Sequence, residues 1–533
     1  MNQLFLCALC VSAVKMLVPD TARAQDSTRQ QPGPAVRRIS TASALSKDRI
    51  QSITGIRELP DGRVLLNDGQ SRRLLLLDTM LVTERVVLDS MSEHANTYGN
   101  QQGGLIPYLA DSTLFIDRNS LSMIVLDPAG NIARIRAVPR SQHLGTYGRG
   151  DTFGSNVGTD AKGRIVYRID AEAARPSRMP PRGVPYVPEE PDSAFLVALD
   201  IHTRTLDTLG SLRIPKEQYT VRVNPNGGWT WSNRMNPMPS TDEWAVLSDG
   251  SVAFVRAIDY RIDYLNPDGT WRSSPKIPFD WQPMPDSAKR RLVDSVKTRE
   301  TQQRRNTYTT QVIRWVNTYK RKYPPNFTAP EGYRPPNGFA RDWPMPPGVS
   351  FPENYIYACA IGEEPKMLVP DGADTTEQQT PQQLEAQQMM ERFGINRGEG
   401  RPGGGRPSCI PQAIPNLSNI PQPPTMREFT VISPNELPDF RPPFAENAVR
   451  ADMDGNLWIR TTPQRPVQGA GGAVYDVVNH DGLLVDRIQI PTGYGLVGFG
   501  RGGVVYLSVR GRSGTQLARV RLAPRQEAQA APR

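Results

Sequence analysis

Polar side chains recur at one position of a repeated unit in this 533-residue sequence. Most of them follow a turn glycine, or the residue in its place, by five positions. Arginine dominates the set, and its planar guanidinium binds carboxylates, phosphates and sulfates through paired hydrogen bonds. The set comprises Asn67, Asp117, Arg168, Arg256, Arg460 and Arg510. If the units superpose, these groups form a ring that could bind an anionic ligand. The alternative, which we favour, is that they form salt bridges between units and hydrogen bonds within turns.

Signatures of catalytic nucleophiles are absent downstream of residue 24. The sequence there contains no Gly-x-Ser-x-Gly, His-Glu-x-x-His or Cys-x-x-Cys pattern. Residues 498–503 match a dinucleotide-binding pattern by letter, but a strand-like run follows them where a helix is needed. Residues 452–456 begin like a calcium loop and then also continue as a strand. We therefore predict no catalytic residues and no metal ligands, and the sequence identifies no cofactor.

Two functions remain open. The first, which we favour, is a non-catalytic binding or interaction scaffold for a protein, or for an anionic small molecule or polymer. The second is a metal-dependent hydrolase or lactonase, which needs oxygen ligands that converge on a divalent ion. Glu58, Asn67, Asn156 and Asp259 could supply such oxygens. The net charge of +9 permits acidic partners, but no specific nucleic-acid signal is present. We expect a monomer.

The elements that position these residues repeat six times. Each unit consists of an apolar strand, an Asp-Gly-type turn, a second strand, a polar link, a third strand that ends in Asp, a turn and a fourth strand. The copies cover residues 53–88, 113–139, 160–215, 244–278, 449–491 and 496–522. The last copy has three strands, and residues 35–40 could supply the fourth. A β-sandwich is the alternative fold, but it would not need six similar units.

The unit resembles the blades of six-bladed β-propellers of the TolB-like and NHL-type group. The resemblance covers residues 35–279 and 430–522, and it rests on the pattern strand–(Pro)-Asp-Gly–strand–Arg-Leu-x-x-x-Asp–x-x-Gly. Residues 434–444, before Asp-Gly-Asn-Leu-Trp-Ile-Arg at 454–460, look like those of uncharacterised exported bacterial propellers. The resemblance implies an all-β fold, a six-bladed propeller over 35–522 closed by an N-terminal strand in the last blade. It implies no particular activity, because propellers host many unrelated functions.

An insertion at 280–430 separates the fourth and fifth copies. Apolar residues recur at helical spacing within 286–323, which predicts one or two amphipathic helices. This stretch has eleven basic and three acidic residues, a net of +8 that nearly accounts for the whole chain's +9. We favour a solvated helix face that docks on the propeller over a patch for lipid headgroups or a polyanion. Peripheral membrane contact through 286–323 is therefore the less favoured interpretation. Residues 324–430 read as a Pro-, Gln- and Gly-rich, partly disordered loop.

The N-terminus predicts export. Residues 4–14 are apolar but too short to span a bilayer, and Ala22-Arg23-Ala24 fits a cleavage site before Gln25. We therefore predict a signal peptide at 1–24 and a periplasmic or secreted protein, with a disordered tail at 523–533. Cys359 and Cys409 are the cysteines that remain. In an oxidising compartment they could form a disulfide, and two free thiols are the alternative.

Overall fold

The repeated turns form because Asp and Gly satisfy them locally. The carboxylate of Asp160 accepts hydrogen bonds from the backbone N–H groups of Lys162 (3.0 Å) and Arg164 (2.9 Å). Gly163 has φ +77°, a conformation that glycine adopts without steric cost. Asp452 accepts the equivalent two backbone hydrogen bonds in a later unit. The short apolar runs on either side of each turn are therefore placed to pair as antiparallel strands.

The computed structural model of the chain describes the following parts of it: 34–39, 42–47, 50–90, 97–148, 156–171, 187, 190–223, 229–322, 429–462, 471–511 and 514–523. Two short strands come first, β1 (Val36–Arg38) and β2 (Ala44–Leu45). Six antiparallel sheets follow along the chain, and we number them 1 to 6.

Sheets 1, 2 and 3 each contain four strands that pair in chain order. Their strands are β3 (Ile53–Glu58), β4 (Val64–Asp68), β5 (Arg73–Leu77) and β6 (Thr83–Asp89); β7 (Gly104–Pro107), β8 (Thr113–Asp117), β9 (Ser122–Leu126) and β10 (Ile132–Ala137); and, after a short helix α1 (Leu144–Tyr147), β11 (Gly158–Thr159), β12 (Ile165–Asp170), β13 (Ser193–Leu199) and β14 (Leu206–Arg213).

A smaller three-stranded sheet, the hairpin sheet, interrupts the series after sheet 3. It contains β15 (Gln218–Val223), β16 (Trp229–Met235) and a distant third strand, β21 (Thr430–Val431). Sheet 4 contains β17 (Glu243–Val246), β18 (Val252–Arg256), β19 (Arg261–Leu265) and β20 (Trp271–Ser273).

Sheets 5 and 6 follow a single long helix, α2 (Asp286–Lys322). Sheet 5 contains β22 (Phe444–Ala451), β23 (Leu457–Thr461), β24 (Val474–Val478) and β25 (Leu484–Gln489), and sheet 6 contains β26 (Tyr494–Gly500), β27 (Val504–Gly511) and β28 (Gly514–Arg521). Beyond these strands, β1 pairs in parallel with β25 and β2 pairs antiparallel with β28.

The hydrophobic core consists of layers between consecutive sheets. Sheets 1 and 2 share a cluster that includes Leu65 and Phe115, and sheets 4 and 5 share one that includes Tyr264 and Leu457. Comparable clusters join sheets 2 and 3, 3 and 4, 5 and 6, and 6 and 1. The first strands of sheets 6, 1, 2, 3, 4 and 5 lie side by side in that order. Each sheet therefore buries both faces against its neighbours, and full burial of one large apolar side chain contributes about 1.5–3 kcal/mol.

Helix α2 packs on the hairpin sheet. Val293 and Val296 are buried with Val431 and with Met235, and the ammonium group of Lys289 forms a 2.7 Å ion pair with Asp439. Other basic side chains of the helix are exposed, namely Arg290, Arg291, Lys297, Arg299, Arg305 and Arg314. The helix therefore docks through an apolar stripe and keeps much of its charge in solvent. Within the described residues, no helix is long and apolar enough to cross a membrane.

The structure confirms the predicted all-β architecture but corrects the strand that completes the last sheet. Residues 35–40 do not supply it: Val36–Arg38 extend sheet 5 beside Arg487–Gln489. The guanidinium of Arg37 also holds that edge through a 2.5 Å ion pair with Asp486. Ala44–Leu45 pair with sheet 6 instead, because the side chain of Ala44 is buried between sheets 6 and 1.

Some elements of the structure were not predicted, and several predictions concern residues outside the described part of the chain. The strands β15 and β16 were not predicted, because they belong to no repeated unit. The signal peptide, the Cys359–Cys409 pair, most of the loop at 324–430 and nearly all of the tail at 523–533 lie outside the described residues.

Candidate functional site

The two ends of the sheets differ in how their strands are connected. At one end, which we call the turn face, short turns join the first strand of a sheet to the second and the third to the fourth. The turns between first and second strands contain Gly62, Gly163, Gly250 and Gly455, all with positive φ. At the opposite end, which we call the link face, connections join the second strand of a sheet to the third and one sheet to the next. The hairpin sheet and α2 belong to these inter-sheet links. Long, non-repeated connections on a rigid scaffold are where binding and catalytic residues concentrate.

All six predicted ligand-binding residues lie at the link-face ends of second strands. Two of them serve local structure. Asn67 is buried, donates to the carbonyl oxygen of Gly103 (2.8 Å) and accepts a hydrogen bond from the Tyr98 hydroxyl (2.9 Å). Asp117 accepts from the backbone of Asn119 and the hydroxyl of Ser120.

The four arginines of the predicted ring have different surroundings. Arg168 forms a 2.7 Å ion pair with Asp170, whereas Arg256 lies 2.8 Å from both Asp242 and Asp263. The side chains of Arg460 and Arg510 are exposed. Among the described residues, the six predicted side chains make no hydrogen bond or ion pair with each other. The structure thus places all six on the link face, and their binding of one anionic ligand stays a prediction.

A buried carboxyl group on the link face was not predicted. Glu243 begins β17, is only 4% exposed, and accepts a 2.7 Å hydrogen bond from the backbone N–H of Asn447. Burial raises the pKa of Glu243 to about 7, and the charge of Glu446 contributes to the increase. Arg168 acts in the opposite direction and lies 3.8 Å from Glu446. We call Glu243, Glu446, Asn447 and Arg168 the Glu243 site.

The backbone around the Glu243 site is irregular. The register of β22 shifts between Phe444 and Val449, and Asn447 in this bulge has φ +59°. Asn156 at the neighbouring sheet 3 has φ +48° and donates a 2.6 Å hydrogen bond to the carbonyl oxygen of Trp244. Bulges and left-handed residues other than glycine are frequent beside functional sites, because they re-aim side chains at a cost in stability.

A second polar group occupies the turn face where sheets 6, 1 and 2 meet. Asp111 forms a 2.5 Å ion pair with Arg501, and the guanidinium of Arg57 lies 4.0 Å from the same carboxylate. The Arg57 side chain is only 12% exposed, and its Nε has no hydrogen-bond partner in the described part of the chain. Burial lowers the pKa of Arg57, and the charge of Arg501 lowers it further, against the opposing effects of Asp111 and Glu58. We call Arg57, Asp111 and Arg501 the Arg57 cluster.

The oxygen donors that the hydrolase hypothesis requires are dispersed. Glu58 accepts hydrogen bonds from the Tyr506 hydroxyl and the backbone of Arg501, and Asp259 pairs with Arg261. Asn67 and Asn156 are engaged at two other junctions, as described above. Among the residues that the structure describes, no group of three or more His, Cys, Asp or Glu side chains is arranged to hold a metal ion.

His143 is the one histidine in a link that contacts a buried hydroxyl among the described residues. Its Nδ1 lies 2.7 Å from the hydroxyl of Tyr167, and burial lowers the pKa of His143, with a further contribution from Arg140. His202 and His480 lie in turns, where they contact Arg136 and Asp249. His94 lies outside the described residues.

No family model matches the chain, and no curated protein matches it. Among solved structures, it is similar to a streptogramin B lyase (12% identity, TM-score 0.20, 43% of this chain and 57% of that chain covered). An exported protein from Bacteroides fragilis (11%, 0.24, 47% and 57%) and a gluconolactonase from Xanthomonas campestris (14%, 0.20, 47% and 86%) are also similar. The chain thus spans little more than half of the first two.

Proposed function

We propose that this chain is an exported, closed six-bladed propeller that binds a ligand through an anionic group on its turn face. The observation that carries the proposal is the Arg57 side chain, a nearly buried guanidinium whose Nε lacks a partner among the described residues. A buried charge is unfavourable unless it is paired and hydrogen-bonded. A carboxylate, phosphate or sulfate between Arg57 and Arg501 would place a negative charge beside both guanidinium groups.

The charges around the cluster leave room for an anion. Arg57 and Arg501 share the single carboxylate of Asp111. The nearby Glu58 carboxylate accepts from the Tyr506 hydroxyl and lies 3.6 Å from Arg519. The guanidinium groups of Arg57 and Arg501 therefore have less negative charge beside them than they could pair with.

Anion titration tests the proposal directly. Calorimetry with sodium sulfate, phosphate and citrate should detect saturable binding to the intact protein, and Arg57→Leu should weaken it at least tenfold. That change corresponds to the loss of a hydrogen bond to a charged group, about 1.5–3 kcal/mol. The matched control is Arg460→Leu, an exposed member of the predicted ring on the link face. Absence of binding to the unmodified protein, or a larger loss in Arg460→Leu than in Arg57→Leu, would overturn the proposal.

The export component rests on the apolar run at 4–14 and the small-residue site at 22–24. Expression with the complete N-terminus and mass spectrometry of the product should show a mature chain that begins at Gln25. Recovery of the uncleaved chain from the cytoplasm would contradict export without affecting the anion site.

A second candidate function, acid–base catalysis, is favoured by the Glu243 site. A carboxyl group with a pKa near the operating pH can both donate and accept a proton, and burial of Glu243 produces such a value. A panel of lactones and esters, assayed with and without added Ca²⁺ or Zn²⁺, should then show turnover that Glu243→Gln abolishes. Turnover that survives Glu243→Gln would exclude this role.

A further inference from the structure

One face of the hairpin sheet carries apolar and aromatic side chains together with Asn233. Strands β15 and β16 pair so that Val221 is opposite Trp231 and Tyr219 is opposite Asn233. Alternate residues of a strand point to the same side, so Tyr219, Val221, Val223 and Trp231 share one face. The other face carries Gln218 and Arg234, which are hydrogen-bonded to each other.

This apolar face is open to solvent. Trp231 is 47% exposed and Val223 is 50% exposed, although tryptophan and valine gain free energy when they are buried. Helix α2 packs on residues at the far end of the same sheet, including Met235 and Val431, and leaves this part uncovered. Contiguous exposed apolar residues mark interaction surfaces more often than isolated ones do.

The two aromatic rings on this face form a corner. The ring centroids of Tyr219 and Trp231 are 4.9 Å apart, and the ring planes are 75° from each other. Two nearly perpendicular rings offer a cation two electron-rich surfaces, each attracting it through its quadrupole.

Two carboxylates lie at the hydroxyl end of the corner. The Tyr219 hydroxyl is 2.9 Å from Oε1 of Glu190 and 2.8 Å from Oε2 of Glu217. A phenol has one proton, so it can donate to only one of these carboxylates at a time. Burial and both carboxylates raise the pKa of Tyr219, so the hydroxyl stays protonated and adds no negative charge of its own.

Among the described residues, no basic side chain forms an ion pair with these carboxylates. Neither Glu190 nor Glu217 forms an ion pair with any described residue, and the same holds for the neighbouring Lys216. Arg222 lies on the opposite face of β15, since it is one position out of phase with Val221 and Val223. Within the described part of the chain, Glu217 has one further partner, the side-chain amide of Asn233 at 3.0 Å. The corner is therefore anionic as well as aromatic.

We propose that Tyr219, Trp231, Glu190 and Glu217, the Trp231 corner, bind the alkylated ammonium group of a ligand. Methyl groups on the nitrogen would pack against the two rings, and the charge would be balanced by the two carboxylates. A divalent metal ion fits less well, because Ca²⁺ takes six to eight oxygen ligands and the corner offers two carboxylates beside apolar surface. The site is on the link face and is independent of the anion site on the turn face.

Titration with choline and tetramethylammonium chloride, followed by calorimetry of the full chain, tests this assignment. We expect saturable binding that the neutral isostere 3,3-dimethylbutan-1-ol does not reproduce. Trp231→Ala should weaken binding at least fivefold. The matched control is Trp271→Ala, which removes a tryptophan of similar exposure (51%) from β20 and should leave the affinity unchanged.

Two further variants separate recognition from folding. Glu217→Gln keeps the shape of the corner and removes one charge, so it should weaken choline at least threefold with an unchanged circular dichroism spectrum. Arg57→Leu should not affect choline binding, which distinguishes failure of this site from failure of the anion site. The proposal is overturned if choline does not bind, if the neutral isostere binds equally well, or if millimolar Ca²⁺ displaces choline.

Discussion

The turn face and the link face terminate the same strands, yet they are stabilised differently. On the turn face, hydrogen bonds within the turns recur from sheet to sheet: Asp78, Asp127 and Asp160 each accept from the backbone N–H groups two and four positions later. On the link face, each junction has its own solution, such as the bulge at Asn447. A repeated scaffold thus fixes one face by local chemistry and leaves the other free to vary, which is why candidate sites accumulate there.

The Arg57 cluster is the exception on the turn face. Its residues come from three sheets, and Arg501 and Asp111 are 390 positions apart in the chain. In contrast to the Asp residues of the turns on that face, their side chains are not needed to form a backbone turn. This departure is what distinguishes a candidate binding residue from a turn residue in a repeated structure.

The largest expected effect tests whether the link face depends on long-range polar contacts for its stability. Asp476 is buried between sheets 4 and 5, where it accepts from the Tyr260 hydroxyl (2.9 Å) and from Nε of Arg487 (2.9 Å). Asp476→Ala leaves both groups without their partner and should reduce the free energy of unfolding by about 3–5 kcal/mol, measured by urea denaturation. Asp268→Ala, at an exposed turn where the carboxylate accepts from Thr270, is the control and should reduce the free energy of unfolding by much less. Equal midpoints for both variants would show that the junction does not need the carboxylate.

The next prediction concerns the pH dependence of stability, which should have opposite signs for Glu243 on the link face and Asp61 on the turn face. Because the pKa of Glu243 is raised to about 7 in the folded state, the folded protein binds more protons than the unfolded chain between about pH 4.5 and 7. Stability should therefore fall as the pH rises through that window, by up to about 3 kcal/mol. Glu243→Gln should remove this part of the slope in thermal or urea unfolding at pH 5 and pH 7.5.

The turn face provides the opposite case for that measurement. The hydrogen bond from the Arg63 side chain lowers the pKa of Asp61, so its contribution is present above about pH 3.8 and is lost as the pH falls further. Asp61→Asn should consequently leave the slope between pH 5 and 7.5 unchanged. A slope that persists in Glu243→Gln would assign the pH dependence to another group.

The smallest effect compares left-handed residues on the two faces. Ala110 on the turn face has φ +51° and Asn447 on the link face has φ +59°. Alanine is disfavoured in this region, whereas asparagine tolerates it. Ala110→Gly should therefore raise the free energy of unfolding by about 0.5–1 kcal/mol, net of the entropy that glycine loses, while Asn447→Gly should change it little. Calorimetric melting of both variants tests this, and a stabilisation confined to Asn447→Gly would reverse the assignment of strain.

Much of the strand order could be predicted because its determinants are local. The strand-like run from Arg63 to Asp68 lies between turns whose polar side chains hydrogen-bond to the turn backbone. The strands β3 to β6 can therefore be predicted directly from the sequence. The sixth unit was equally readable, including the rejection of a nucleotide-binding helix after Gly503, where β27 forms a strand.

The candidate sites could not be predicted in the same way. Reasoning from equivalent repeat positions selected Arg168, Arg256 and Arg460, whose partners differ at each junction. Glu243 gave a detectable signal in sequence, since it is the charged residue of the otherwise apolar strand β17, whereas Arg57 is next to a second charged residue, Glu58, in β3. Sequence alone gave no means of telling a charge that is neutralised by a distant partner from one that is not.

The sequence by itself determined the strands, the turns and the repeat, because Asp side chains and left-handed glycines act within a few residues. Only the tertiary structure decided which N-terminal segment completes sheet 6, and which residues meet at Arg57, Glu243 and Trp231. The contact between Glu243 and Asn447, for example, joins positions 204 residues apart. Such contacts depend on how the sheets stack and on where the connections between them run. The burial that they create shifts the pKa of a carboxyl or guanidinium group from its ordinary value.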